Sequence, residues 1–210
     1  MILYGYWRSS AAYRLRIALA WKGLHVETRE IDLRHGAQHD PAFLAVNPQG
    51  RVPFLLDREV GLGQSLAIIE YLEESRPDAP RLLPADLAAR ARVRAAAQII
   101  ACDIHPLGNL AVLRRLTSQF GADQTATDAW SAHWIAQGFT ALEALAAPHG
   151  PYLLGDEVTL ADVCLVPQMF NARRFGVDLA PFPRLVAADA TLAALPAFAA
   201  AHPERQPGAA

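Results

Sequence analysis

Apolar residues follow two rhythms in the first third of the chain, of period two and period 3.6, and only the helical rhythm beyond it. Ile2 to Tyr6 is a short apolar run that reads as a strand. Leu15, Ala18 and Leu19, with Lys22 in step, then fall at helical spacing up to Gly23, a suitable left-handed stop. Ser9 or Ser10 is placed to cap that helix. Val26, Ile31 and Leu33 alternate imperfectly with charged residues and predict a second strand over 26–33. It runs parallel to the first, because a helix separates the two. Phe43 to Val46 is a short apolar segment closed by Asn47-Pro48, and Val52 to Leu56 with Val60 to Leu62 predicts an antiparallel hairpin. Pro53 cannot donate a ladder bond, so it is expected at a sheet edge or with a special bond. A cis Val52-Pro53 peptide would turn the backbone of Val52 outward, ready to pair with an extended peptide. Leu66 to Glu74 predicts a helix with Ser65 as its cap.

The prolines between Arg76 and Asp86 predict an extended connector. The boundary is therefore expected there, with residues 1–80 forming one domain and 86–210 a second. Beyond it the pattern is alanine-rich and helical over 87–116, 126–146, 160–175 and 191–201. Pro106 is expected to bend the first of these. Thr159 and Asp162 have the spacing of a capping box, which makes Asp162 structural rather than catalytic. His202 to Pro207 carries little apolar content and reads as a loosely held tail. The fold class is an α/β domain followed by an all-α domain.

Charge and cysteine usage narrow the function further. A formal net charge of -2 gives no electrostatic reason to expect nucleic acid or an anionic membrane as partner. Cys102 and Cys164 are too few and too far apart for a disulfide framework or a metal site, and their apolar neighbours point to burial. The histidines are scattered, with no pair at ligand spacing on one helix, so no metal is expected. No apolar run approaches the ~18 residues of a membrane span, and no basic leader precedes Ile2. A reducing, cytoplasmic setting is expected.

The chemistry centres on Arg8, Ser9 and Ser10. Serine hydroxyls at a helix N-terminus sit among unpaired amides and the positive end of the helix dipole, where a thiolate or carboxylate is stabilised; Arg8 adds a cation. The competing reading is that the serines merely cap. Ser65 marks a second helix start with the same property. Gly63 to Ala67 shares the outline of a nucleophile elbow, but Ala67 replaces the last glycine and no acid and histidine follow in an α/β context, which disfavours a hydrolase. His105 is open to three readings: a satisfied helix histidine, a proton shuttle or a ligand contact. Arg173-Arg174 is either a solvated helix face or presents one fork to a carboxylate.

Several of these stretches occur in a telling order: Arg8-Ser9-Ser10 with Tyr13 to Leu19, Asn47-Pro48 through Val52-Pro53, Gln64 to Leu72, Leu82-Leu83-Pro84, and Asn171 to Phe175 with Val177-Asp178-Leu179. Over nearly the whole chain this resembles the zeta class of glutathione transferases, the maleylacetoacetate isomerases and their maleylpyruvate-isomerase relatives. The resemblance implies a thioredoxin-like N-terminal domain that binds glutathione, an all-α domain completing the substrate pocket, and a homodimer. It sets Ser9 against the glutathione sulfur with Ser10 beside it, pairs the Val52 backbone with the cysteinyl part, and gives Gln64 and Ser65 the γ-glutamyl carboxylate. His105 and Asn109 would reach the cofactor from the helical domain. Arg8 and Arg174 would face the acidic groups of a small dicarboxylate substrate. Where the family has Ser-Ser-Cys, this chain has Ala11, so no protein thiol assists there. The implied reaction is isomerisation of maleylacetoacetate to fumarylacetoacetate by reversible thiolate addition. The alternatives are maleylpyruvate isomerisation, a broad conjugating transferase and a non-catalytic glutathione-binding protein.

Overall fold

The alternating stretches become strands of one four-stranded sheet in the computed structural model, which describes residues 1–209. Strand β1 (Ile2–Gly5) leads into helix α1 (Ser10–Trp21), and the returning strand β2 (Glu27–Glu30) pairs in parallel with β1. After α2 (Pro41–Val46) come β3 (Phe54–Asp57), β4 (Val60–Gly63) and α3 (Ser65–Ser75). The strand order is β2-β1-β3-β4, with β3 antiparallel to both of its neighbours. The order of elements predicts such a small sheet with helices packed on it, and the arrangement is the thioredoxin-like one that the resemblance implies. The edge strand β2 is shorter than the 26–33 stretch, and all four of its residues are exposed. Its Glu27, Arg29 and Glu30 place charge on an edge that would otherwise invite pairing with another chain.

Leu3, Leu15, Ile17, Leu55, Ile68, Ile69 and Leu72 bury the inner faces of β1, α1, β3 and α3. Each fully buried aliphatic side chain of this kind contributes about 1.5 to 3 kcal/mol relative to exposure. Lys22 and Glu73 form an ion pair inside this layer. The Lys22 Nζ also donates to the Pro80 carbonyl (3.0 Å), and the Leu82 N–H donates to Glu73 Oε1 (3.0 Å). Those extra bonds meet the desolvation cost that a bare buried pair would leave uncovered.

Two local features depart from what the sequence predicts. Pro53 lies just before β3, an inner strand rather than an edge, and escapes the ladder by preceding it; the Val52-Pro53 peptide is cis. Ser65 is the first residue of α3 and not its cap. The cap position belongs to Gln64, whose φ of 66° is left-handed, a conformation that a non-glycine residue does not advertise in sequence.

The contacts divide the chain into two units, one of Met1–Leu82 together with the chain from Leu195 onward, the other of Leu83–Ala194. The second is built from α4 (Leu87–Gln98), α5 (Leu110–Phe120), α6 (Gln124–Leu145), α7 (Leu160–Arg174) and α8 (Pro183–Ala193). The single bent helix expected over 87–116 is broken instead. After α4 the chain widens into a π-helical turn, Ile99–Ile104, and Pro106, lacking an N–H and crowding the preceding turn, helps to end it. Gly138 on α6 lets this turn approach, because a Cβ there would run into Ile104. The capping box before α7 is present. Asp162, wholly buried, accepts from the Leu153 N–H (2.9 Å), the Thr159 N–H (2.8 Å) and the Thr159 hydroxyl (2.9 Å).

The helix expected over 191–201 is only the end of α8, which begins earlier at Pro183, followed by α9 (Pro196–Ala201), which Pro196 opens. Helix α9 packs on α1, so the residues from Leu195 onward belong with the first unit and not with the all-α domain drawn over 86–210. The tail is also better held than its composition suggests. Pro203 is buried, and Gln206 Nε2 donates to the carbonyls of Ala200 (2.9 Å) and His202 (3.0 Å).

Candidate active site

Register decides which loops meet. Tyr4 of β1 pairs with Phe54 of β3, and Phe54 with Gly63 of β4. The chain leaving β1, the chain entering β3 and the chain leaving β4 therefore share one end of the sheet. Ser9 and Ser10 lie on the first of these segments, Val52 on the second, Gln64 and Ser65 on the third.

Ser9 is the N-cap of α1, in extended conformation, and its Oγ accepts from the Ala12 N–H (3.2 Å). A hydroxyl has two lone pairs and one proton, so capping uses an acceptor site and leaves the O–H to donate elsewhere. Capping and anion binding are thus compatible at this residue. The Ser9 N–H donates to the Tyr6 carbonyl (3.0 Å), tightening the loop. Ser10 is buried in the first turn, Ala11 is half-buried next to it, and the Arg8 guanidinium stacks over the Trp7 ring at 5.5 Å.

At the start of α3, Ser65 is buried and its Oγ accepts from Arg14 Nη1 (3.3 Å). Arg14, on α1, is only 2% exposed, so a buried cation ties the two helix starts together. With one lone pair taken up by the Arg14 donor, the Ser65 hydroxyl keeps its proton to give to an acceptor. Gln64 donates through Nε2 to Gln49 Oε1 (3.0 Å), which fixes the orientation of its amide. Arg14 and Gln49 are not among the site residues that the sequence points to. A cation set among the apolar residues of a helix was the available signal for Arg14; Gln49 offered none.

Within the second unit, His105 closes the π-helical turn, its N–H donating to the Ile100 carbonyl (2.9 Å). Asn109 caps α5 through Oδ1, which accepts from the Ala111 N–H (3.0 Å), so its Nδ2 amide is the part directed away from the cap. Arg173 and Arg174 end α7 and differ in what they meet. Arg173 pairs with buried Asp189 at 2.6 Å, whereas the Arg174 guanidinium lies over the Phe175 ring at 4.8 Å. Cys164 is buried as expected, but Cys102 is exposed, because Ile100 and Ile104 take the inward positions of that turn.

Residues 1–74 match the glutathione S-transferase N-terminal domain and residues 127–200 the glutathione S-transferase C-terminal domain. A solved holo maleylpyruvate isomerase, described as a bacterial glutathione S-transferase of the zeta class, superimposes with a TM-score of 0.97 at 49% identity, covering 100% of both chains. The chain belongs to the zeta class of the glutathione S-transferase family. Among its zeta-class relatives, a probable maleylacetoacetate isomerase of Vibrio cholerae is 50% identical over 100% of this chain and 98% of its own. A maleylacetoacetate isomerase from Methylobacterium extorquens AM1, solved with bound malonate and glutathione, has a TM-score of 0.96 and 42% identity over 100% of both chains. Among the described residues of this zeta-class chain no helix is long and apolar enough to cross a membrane.

Proposed function

We propose that this protein is a glutathione-dependent cis-trans isomerase that converts maleylacetoacetate to fumarylacetoacetate. The observation that carries the reading is the meeting of Ser9-Ser10, Val52 and Gln64-Ser65 at one end of the sheet, with two helix N-termini among them. The donor set fits glutathione. A hydroxyl with its proton to give, at a helix N-terminus, suits a thiolate; a second helix start, with Ser65 held by Arg14 as a donor, suits a carboxylate.

Ser9 donates to the sulfur and Ser10 stands beside it. The Val52 backbone pairs with the cysteinyl part, Gln64 and Ser65 take the γ-glutamyl carboxylate, and His105 and Asn109 contribute from the helical unit. Bound glutathione supplies a thiolate that adds reversibly to the cis enone, making its double bond single so that it can turn. A free thiol of pKa ~8.5 is only a few per cent ionised at neutral pH, and lowering it by ~2 units needs about 2.7 kcal/mol. One hydroxyl hydrogen bond to the charged sulfur, worth ~1.5 to 3 kcal/mol, with a helix N-terminus worth ~0.3 to 1, meets that need. Ala11 takes nothing from this, because the reacting sulfur is not the protein's. Arg8 and Arg174 hold the two carboxylates of the substrate, as the planar guanidinium fork suits a carboxylate.

The high similarity to a maleylpyruvate isomerase supports a second reading, in which maleylpyruvate is the substrate. Turnover of both acids with catalytic amounts of glutathione separates the possibilities. Faster conversion of maleylacetoacetate with the thiol conserved is the expected result, and a preference for maleylpyruvate overturns the choice of substrate. Stable adducts with the thiol consumed would mark a conjugating transferase, and binding without turnover a glutathione-binding protein. The reading carries with it a homodimer, checked by sedimentation, and a reducing, cytoplasmic setting.

A further inference from the structure

Arg16 lies seven residues after the cap Ser9, on the same face of α1 and two turns further along. Helical side chains lean toward the helix N-terminus, so a long one there reaches back over the preceding turns. The Arg16 guanidinium does so. Its Nη2 donates to the Trp7 carbonyl (3.0 Å), Nη1 makes a longer contact with the Tyr6 carbonyl (3.5 Å), and Nε donates to the Ala201 carbonyl at the end of α9 (3.1 Å). The same group lies over the Tyr13 ring at 5.3 Å, and Tyr13 meets His202 edge-on at 6.2 Å. Burial draws the Arg16 pKa down to about 10, offset in part by Tyr13, so the fork stays charged at neutral pH.

We propose that Arg16 is a positioning residue for Ser9, clamping the Tyr6-Trp7 backbone to the C-terminal helix α9 so that the last segment of the chain sets the aim of the active-site loop. The Tyr6 carbonyl that it contacts is also the one that accepts from the Ser9 N–H. Because a peptide unit is planar, holding the Trp7 carbonyl fixes the plane of the Trp7-Arg8 bond and with it the path of the chain into Ser9. A lysine could not reproduce this, since three carbonyls in different directions call for the planar guanidinium fork rather than a point charge. Helix α9 is itself anchored through Phe198, which is 1% exposed and edge-on to Trp21 at 6.5 Å.

The inference rests on the reading of Ser9 as the residue that stabilises the glutathione thiolate, and one set of measurements separates the two. The ultraviolet absorbance of the bound thiolate is titrated against pH in the wild type, Ser9→Ala, Arg16→Gln, Arg16→Lys and Phe198→Ala, together with kcat/KM and thermal melting. Arg16→Gln is expected to raise the bound thiol pKa by about one unit and to lower kcat/KM about tenfold. Arg16→Lys, which keeps the charge and stands in should the glutamine variant not fold, is expected to show most of both effects. Phe198→Ala is expected to move the thiol in the same direction by less, and no movement there overturns the part given to α9. If the arginine variants melt earlier but bind thiolate and turn over as the wild type does, Arg16 is a structural tie only and the inference is overturned. If Ser9→Ala itself leaves the thiolate unchanged, the assignment of Ser9 fails instead.

Discussion

The two units carry their candidate residues in different ways. In the first, Ser9, Ser10, Val52, Gln64 and Ser65 are placed by strand register, so many ladder bonds share the task of bringing them to one end of the sheet. In the second, His105, Asn109 and Arg174 sit at or beside helix ends, and a few local bonds hold each end in place. A site built on register tolerates the loss of one bond in its frame. A site built on helix ends depends on its caps.

The largest effect should come from a cap. Asp162→Ala leaves three donors in a buried place without their acceptor, and a loss of about 3 kcal/mol in urea unfolding is expected. A loss under about 1 kcal/mol, the size of an ordinary exposed cap, would erase the contrast between the units. Ser9→Ala follows. It should lower kcat/KM about a hundredfold, in line with the loss of one hydrogen bond to a developing charge, while glutathione still binds. A rate equal to the wild type would remove Ser9 from the chemistry. Asn109 gives a finer test, because its side chain has two ends. Asn109→Ala should cost about 1 kcal/mol of stability and weaken glutathione binding several-fold; Asn109→Asp restores the cap through its acceptor oxygen but not the Nδ2 donor. Stability should therefore return in the aspartate variant and binding should not. Recovery of both would mean that Asn109 acts only as a cap.

The smallest effects distinguish two buried carboxylates that look alike. Asp57 in the first unit and Asp189 in the second each hold an arginine at 2.6 Å, Arg76 and Arg173 respectively. Burial is the largest influence on both and acts to raise the pKa. At Asp57 the hydrogen bonds from Tyr71 and Arg76, with the charges of Arg76 and Arg58, together outweigh it and the pKa is lowered; at Asp189 Arg173 alone does not, and the pKa is raised. The signs follow from linkage. A lowered carboxyl contributes stability that is present above the ordinary value of about 3.9 and is lost as pH falls through the folded pKa. A raised one holds its proton more tightly in the folded state, so stability falls as pH rises from the ordinary value through the raised pKa. Asp57→Asn should thus cost more at neutral than at acid pH, and Asp189→Asn less. Urea unfolding from about pH 3 to 7 measures both, and parallel slopes for the two variants would show that the additional Tyr71 bond does not decide the sign.

Much of this could be read locally. The Ser9 cap, the capping box at Thr159 and Asp162, the parallel β1-β2 pair and the β3-β4 hairpin all lie within short windows of sequence. What escaped such windows has a consistent cause. Gln64 takes the cap from Ser65 through a left-handed backbone that no glycine announces, and Cys102 faces outward because a π-helical turn shifts the helical phase around it. The tail after His202 reads as polar and loose, yet α9 just before it is seated on α1.

The sequence alone determined the order of strands and helices in the first unit, the helical character of the second and the placing of serines at helix starts, because capping, turn chemistry and hydrophobic period act over a few residues. Tertiary structure alone decided which of those places converge. Register brought Ser9, Val52 and Ser65 to one end of the sheet, Arg14 tied the two helix starts, and Arg16 bonded to a carbonyl 185 residues away. Contacts at that separation follow from how whole faces are buried, and no local pattern encodes them.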